Sequence, residues 1–541
     1  MSKVSEYLGK NLSGEVTVEP SARQYFSTDG SFLKYVPQVV IYPRTTDDIR
    51  KTTRFAWRLA EKGYKLPITA RGYGADMTGA SIGSGAVMVF PAHMQKILEL
   101  DAKLKKVRVQ PGINIRTLQE VLATHGLMLP TYPTNMKYAT VGGAVADNVS
   151  GPKGLKYGTM RNWTDQLEVI LANGEVIQTG RISKRELNAK KGLQTLEGEI
   201  YRELDGVLTD NEELIAKHIK CNMPDNTGYQ LGSVKDTDGS FDLTPLIVGS
   251  QGTLAIISQV ILNLVPKPVD TALLAVILPS LDNFSELVEA INEYSPSELE
   301  FIDGDAIEWI EEHIGVSPLN TLDGQTGTAG VLIVEFDDGD GKHSKSARKV
   351  MKMLDEYGAI VELAESQDDK EDIWGSRYGI SALFNSRLHG TRAVQFADAI
   401  IPIQKMDLFV ENLRKLINSR KIKGFISGRV GAGNISVTAL ANMGNIGDRQ
   451  AVFGFMRDYC KLTSKFGGSI AGDSGDGRLR IMAAQGQYGD EMLGVFEQVK
   501  EIFDPKGVLN PGVILGSTEE ELIQQIDSQP EPRFLDYRPR I

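Results

Sequence analysis

Residues 36–63, VPQVVIYPRTTDDIRKTTRFAWRLAEKG, open on an apolar run that stops at Pro43. Thr45, with Asp48 three residues later, fits a helix-capping box. Ile49, Ala56, Leu59 and Ala60 then keep a helical period that Gly63 closes. A short strand, LPIT at 66–69, leads into the glycine-rich turn RGYGADMTGASIGSG, and the strand AVMVFP follows. Strand, helix, strand, loop and strand within some 60 residues is an α/β pattern. The next block has the strand and turn VRVQPG at 107–112, a short helix at 115–126 ending at Gly126, and a long loop over 129–158. LEVILANGEVIQTG at 167–180 predicts a hairpin, with Asn173-Gly174 as a tight two-residue turn.

A strand pair is expected over 243–268, ending at the Pro-Lys-Pro step, which reads as a domain boundary. Beyond it come the strand ALLAVILPS and a helical stretch, then the strand VLIVEFDDGD and a helix at 344–357. This suggests an α+β domain with an antiparallel sheet. The acidic segment 362–372 reads as a solvated tether. The tail after Gly516 reads as a helix broken by prolines, and no 20–50-residue repeat is apparent.

Composition narrows the class. The 541 residues are 41% hydrophobic and 24% charged, enough apolar material for more than one core. That excludes a disordered chain. With only Cys221 and Cys460, a disulfide-stapled fold and a cysteine-based zinc site are excluded too. The net charge of −11 argues against a nucleic-acid partner but leaves room for a local basic pocket. No apolar stretch is long enough to span a bilayer, and the N-terminus lacks an apolar signal segment. A cytoplasmic setting is the expectation, with peripheral membrane association and a homodimer left open.

Glycine placement carries the functional information. Arg71-Gly72-Tyr73-Gly74 directly follows a strand, and such turns present successive N–H groups to anions. Neither a GxGxxG fingerprint nor a P-loop is present. A second loop contains Thr140-Val141-Gly142-Gly143, Asp147-Asn148 and Ser150-Gly151-Pro152. A third, Gly249-Ser250-Gln251-Gly252-Thr253-Leu254, precedes an apolar strand. Three such loops next to strands favour one long cofactor threaded through one domain.

The stretches RGYGADMTG, ATVGGAVADNVSGPKGLKYGTMRNWTDQLEVILANGEV, LIVGSQGTLAIISQVILNLVPKP and IFDPKGVLNPG resemble the flavin-linked oxidoreductases of the vanillyl-alcohol oxidase superfamily. The likeness is to the D-lactate/glycolate/D-2-hydroxyglutarate dehydrogenase branch and runs from about 36 to 515. It implies an α+β chain with a two-subdomain, PCMH-type FAD-binding domain (1–268), an antiparallel-sheet substrate cap (269–480), and a C-terminal return and tail (481–541). By resemblance, Arg71, Gly72, Tyr73, Gly74 and Ala75 wrap the FAD pyrophosphate. Pro133, Thr134, Thr140, Gly142, Gly143, Asp147, Asn148 and Ser150 lie along the cofactor. Gly249, Gly252, Thr253 and Ile256 form a third FAD segment, and Asn510 belongs to the returning piece. No histidine stands in the first loop and no cysteine in the second, so non-covalent FAD is expected.

Oxidising a hydroxy acid needs a cation for the carboxylate, a base for the hydroxyl proton and an α-hydrogen facing flavin N5. Trp374-Gly375-Ser376-Arg377 resembles the family's Trp-x-x-Arg element, making Arg377 the carboxylate candidate. Tyr378 and His389 are further polar candidates, with His389 better read as locally hydrogen-bonded. The family's metal element, Gly-His-x-Gly-Asp-Gly-Asn-Leu-His, stands here as Gly428-Arg429-Val430-Gly431-Ala432-Gly433-Asn434-Ile435-Ser436. Its Gly-Glu-His-Gly is Gly472-Asp473-Ser474-Gly475. With both imidazoles gone, no catalytic metal is expected. Arg429 could replace the ion's charge but not act as a base, and Asp473 could act as base if burial raises its pKa. Arg478 and Arg480 would extend a basic cluster. The leading expectation is FAD-dependent dehydrogenation of a D-lactate-like 2-hydroxy acid, with hydride to flavin N5 and electrons to an unidentified, non-nicotinamide acceptor. The alternatives are a metal-independent carbohydrate or alcohol oxidase or dehydrogenase, and a flavin-retaining binding protein without dehydrogenase activity.

Overall fold

The computed structural model describes residues 3–218, 225–314, 328–339, 341–383 and 391–528. Two main sheets build the N-terminal half, beside the two-stranded pair Leu127–Met128 and Val265–Pro266. In the first, Val39–Tyr42 and Ile68–Arg71 flank Ala86–Val89 in parallel, and Glu15–Thr17 joins antiparallel at the edge. Helix Thr46–Glu61 covers it, burying Ile49 and Ala56 against Val39, Ile68 and Met88. Half of the expected capping box is present: the Thr45 side chain accepts from the Asp48 amide, while the Asp48 carboxylate accepts from Ser13 and the Arg44 amide instead. The second sheet is antiparallel, in the order Ile97–Asp101, Lys106–Val109, Ile256–Asn263, Thr164–Ile170, Val176–Gln178. Helices Leu196–Asp210 and Ile481–Phe503 add Tyr201, Leu204, Phe496 and Val499 to its core.

A seven-stranded antiparallel sheet dominates the C-terminal half. Its order is Ile360–Leu363, Ala272–Leu278, Gly330–Phe336, Glu298–Asp303, Lys423–Gly428, Asn434–Ala441, Arg392–Ile400. Ala272–Leu278 is buried throughout because both faces are covered. Leu274 and Val276 meet helices Phe284–Asn292, Lys342–Leu354 and Met406–Ser419, while Leu273 and Ala275 pack with Ile307, Trp309 and Ile373. The chain then returns to the first sheet. Val508 accepts from the Ile68 amide, and the Asn510 amide donates to Ile68. The whole is the α+β arrangement expected: a two-sheet cofactor half and an antiparallel-sheet cap.

Four local expectations change. The 167–180 hairpin has a three-residue connection. Leu171 bonds to Glu175, and Gly174 alone has positive φ, 87°. The Asn173 side chain accepts from the Glu175 amide and stays out of the left-handed region, giving a type I turn with a glycine bulge. Thr244–Ile247 is a helical turn rather than a strand, started by Pro245 in its first turn. The acidic segment is no tether: it contributes to the edge strand Ile360–Leu363 and starts helix Gln367–Leu383, where Asp369 accepts from the Glu365 and Ser366 amides. The long second loop contains helix Val141–Asp147, capped by Thr140.

Asp303 ties the cap together, accepting from the Ala306 amide at 2.9 Å and the Ile426 amide at 2.8 Å. Burial pushes its carboxyl up to about 7. A carboxyl whose folded pKa exceeds its unfolded value stabilises most below the unfolded value and loses that contribution as pH rises through the folded one. The stability advantage of the wild type over Asp303→Asn should therefore shrink between pH 4 and pH 7, by at most about 1.4 kcal/mol per pH unit. Urea unfolding of both proteins across that range checks it, and a constant gap would contradict it.

Candidate active site

The two halves enclose a cavity of about 1750 Å³. That exceeds the roughly 300–1,000 Å³ usual for a small-molecule site and suits a large cofactor together with a substrate. The cofactor half contributes Arg71, Gly72, Tyr73, Gly74 and Ala75, then Pro133, Thr134, Thr140, Gly142, Gly143 and Asp147, then Gly252. The cap sheet contributes Gln395, Asp398, Ser427, Arg429, Asn434, Ser436 and Thr438, and the segment 466–480, which ends the expected cap and leads into the return, contributes Asp473, Ser474 and Arg480.

The glycines let the loops meet. A Cβ on Gly72 would run into Thr140 Oγ1 and part the first loop from the second, and one on Gly142 would run into Pro111 and part the second loop from the turn after strand Lys106–Val109. The other residues expected to touch FAD stand outside the cavity lining. Asn510 knits the loops from behind: it accepts from the Thr69 hydroxyl and donates to the Ala80 and Gln251 carbonyls. Asn148 ends the short helix in a left-handed conformation, donates to Asn226 and accepts from the Arg161 amide. The Gly249 amide donates to Val145, Thr253 bonds Ser250 and Tyr229, and Ile256 lies in the strand core.

Ser150 belongs to a buried cluster that joins the halves. Asp473 accepts from the Ser150 hydroxyl at 2.7 Å and from the Ser150 and Gly151 amides at 3.2 Å. Arg429 Nη1 lies 3.1 Å from Asp473 Oδ2, and its Nη2 donates to Ser150 Oγ at 2.9 Å. Burial would raise the Asp473 carboxyl, but Arg429, the Ser150 hydroxyl and the Gly151 amide outweigh it and hold it at about 2. This overturns the condition on which Asp473 was to be a base, because so acidic a carboxylate hardly takes a proton at neutral pH. Burial likewise opposes the Arg429 charge, yet Asp473, Glu300 and Asp398 raise its pKa and keep it cationic.

Asp398 and Gln251 were not singled out from sequence. Asp398 is 1% exposed and accepts from the Asp473 and Ser474 amides and from Asn434. Burial raises its carboxyl, although Arg480, at 3.6 Å, pulls the other way. Gln251 bridges Asp147 and the Gly477 amide. Burial also pushes the cavity-lining Asp147 up to about 6, against the Gly475 amide and Arg480. One signal for Asp398 was available: a lone acidic residue inside the apolar strand RAVQFADAI.

Arg478 does not extend a basic cluster. It donates to the carbonyls of Gly79, Ile82 and Pro511 and lies over the Tyr35 ring, away from the cavity lining. Arg480 spends its charge on Asp398 and the Ser474 carbonyl. Arg377 and Tyr378 lie on helix Gln367–Leu383, but their side chains, and all of His389, fall outside the described residues. No group of three or more His, Cys, Asp or Glu side chains converges as a metal set among the described residues, and none of their helices is long and apolar enough to cross a membrane.

Known proteins resemble the chain in both halves. The family "FAD binding domain" matches residues 37–180, and "FAD linked oxidases, C-terminal domain" matches 267–514. Glycolate oxidase subunit GlcD of Bacillus subtilis is 27% identical, over 88% of each chain. A D-lactate dehydrogenase of Archaeoglobus fulgidus is 26% identical, over 88% of this chain and 91% of its own. A D-2-hydroxyglutarate dehydrogenase of Escherichia coli is 26% identical over 93% of this chain, which spans about half of that protein's length (51%). In fold, the chain is similar to p-cresol methylhydroxylase, with a TM-score of 0.70 at 14% identity over 95% of this chain and 96% of that one. It is also similar to 4-ethylphenol oxidase from Gulosibacter chungangensis, with a TM-score of 0.68 at 16% identity over 94% and 96%. The chain thus carries the FAD-binding and oxidase domains typical of FAD-linked oxidoreductases that act on CH–OH donors, and FAD is its cofactor.

Breaking the Arg429–Asp473 pair should cost the fold about 2 kcal/mol, between the values for surface and fully buried pairs. Arg429→Met alone should lower the melting temperature. The double variant with Asp473→Asn should recover part of the loss, since neither charge is then stranded. Thermal unfolding of the set measures the coupling, and additive losses would contradict it.

Proposed function

We propose that this FAD-linked oxidoreductase dehydrogenates a 2-hydroxy acid of the D-lactate type without a metal ion and passes the electrons to a non-nicotinamide acceptor. The observation carrying the reading is the convergence of glycine loops and cap polar groups on one cavity large enough for FAD and a small acid. The activities named for the glycolate oxidase subunit and the D-lactate dehydrogenase support the donor class. Arg71 to Ala75, Thr140, Gly142, Gly143 and Gly252 would hold the cofactor without a covalent bond. When bound, FAD is the two-electron acceptor as the donor's C–OH becomes C=O and two protons leave.

The chain's own groups have narrower tasks. The cap closes over the cavity and keeps water from the reacting centre. Arg429 and Asp473 act together as a neutral, fixed unit that docks the returning segment on the second loop. In that role the one carboxylate of the segment is already spent on a guanidinium, leaving no free acidic ligand there for a divalent ion, which supports metal independence. Arg377, on the cap helix, is assigned to the substrate carboxylate.

Anaerobic mixing of the yellow protein with D-lactate, glycolate, D-2-hydroxyglutarate and D-glucose tests the donor class. Bleaching by an acid but not by the aldose is expected, and bleaching by glucose alone would move the reading to the carbohydrate alternative. Chelator-treated protein should keep its rate, and a loss restored by zinc or manganese would overturn metal independence. Arg377→Met should raise KM for the acid about tenfold or more while leaving FAD content unchanged. Equal loss of flavin would place Arg377 in the cofactor scaffold instead.

A further inference from the structure

Along Asn434–Ala441 the cap sheet divides by face. Ile435, Val437 and Ala439 are fully buried in the cap core, while Asn434, Ser436 and Thr438 line the cavity. The neighbouring strands extend this polar face: Ser427 pairs across from Ser436, and Gln395 across from Thr438. Asn434 is already engaged, accepting from the Arg429 amide and donating to Asp398. Among the described residues, the side chains of Ser427, Ser436, Thr438 and Gln395 bond to no protein group.

Their burial makes this informative. Thr438 is 2% exposed and Ser436 7%, so what little access they have is to the cavity they line. Hydroxyls that face the cavity without a protein partner are available to a bound group able to both donate and accept. The row is also neutral, since Arg429 is paired with Asp473, and Arg480 with Asp398. Residues two apart on a strand are roughly 7 Å apart, so the row is too long for a three-carbon acid to satisfy.

Building on the reading of the chain as a 2-hydroxy-acid dehydrogenase, we propose that its substrate is a polyhydroxylated 2-hydroxy acid of the aldonic-acid class, whose chain hydroxyls bond to Ser427, Ser436, Thr438 and Gln395. Oxidation is confined to C2: its C–OH becomes C=O, two electrons pass to FAD and two protons are released. The remaining hydroxyls keep their bonds to the row.

The test compares D-gluconate with D-lactate on the FAD-loaded protein. Gluconate should show a kcat/KM at least about tenfold higher, the value of one well-formed hydrogen bond. Thr438→Val and Gln395→Leu should each lower kcat/KM for gluconate about tenfold and leave lactate within about threefold, while Thr438→Ser keeps the gluconate rate. Independently of turnover, the product analogue 2-keto-D-gluconate should raise the melting temperature of the wild type and of Thr438→Ser, but not of Thr438→Val. Lactate bleaching the flavin while gluconate does not, or both acids falling equally in the variants, would overturn this inference and leave the 2-hydroxy-acid reading standing. A flavin that no acid bleaches would overturn both.

Discussion

The Asp473 carboxylate is where the molecule's parts are held to one another. It comes from the segment returning from the cap, accepts from the second loop at Ser150 and Gly151, and is paired with Arg429 of the cap. A guanidinium as buried as that of Arg429 is tolerated only when matched and hydrogen-bonded. The pair therefore fixes the cap over the cavity in one position, and the cavity wall depends on that position. Within the stretches Gly428–Ser436 and Gly472–Gly475, the Asp473 carboxylate thus neutralises the Arg429 guanidinium.

Behind that junction, buried polar side chains carry the architecture. Asn510 and Gln251 join segments far apart in sequence, Arg478 holds three carbonyls, and Thr69 meets Asn510 across the first sheet. None needs to touch the cofactor to matter for it. They hold three loops that cannot hold themselves, because glycine-rich backbone has little side chain with which to pack. The cavity floor is thus set by Gln251 in its lining and by Asn510, Thr69 and Arg478 one layer behind it.

Much of this was legible in the sequence. The capped helix after Thr45, the strand before Arg71 and the buried run Ala272–Leu278 follow from periodicity and capping. The three loops were found because glycines cluster next to strands. The illegible parts depend on tertiary contacts. Helix Val141–Asp147 is only seven residues of small side chains, too short to show a period, and forms because Thr140 caps it. The fate of Asp473 could not be read locally, since its pKa is set by Arg429, 44 positions away, and by Ser150, 323 positions away. Arg478 and Arg480 read as one basic patch, yet one binds carbonyls and the other a buried aspartate. The polar row at Ser436 and Thr438 alternates visibly in the sequence, but only the sheet register brings Gln395 and Ser427 beside it.

The most direct test of the account is the partition of flavin on acid precipitation of the purified protein. Loops that cradle FAD without a covalent bond predict about one FAD per chain in the supernatant and a colourless pellet. Yellow colour remaining in the pellet, or a well-folded protein that yields no flavin and takes up none, would contradict it.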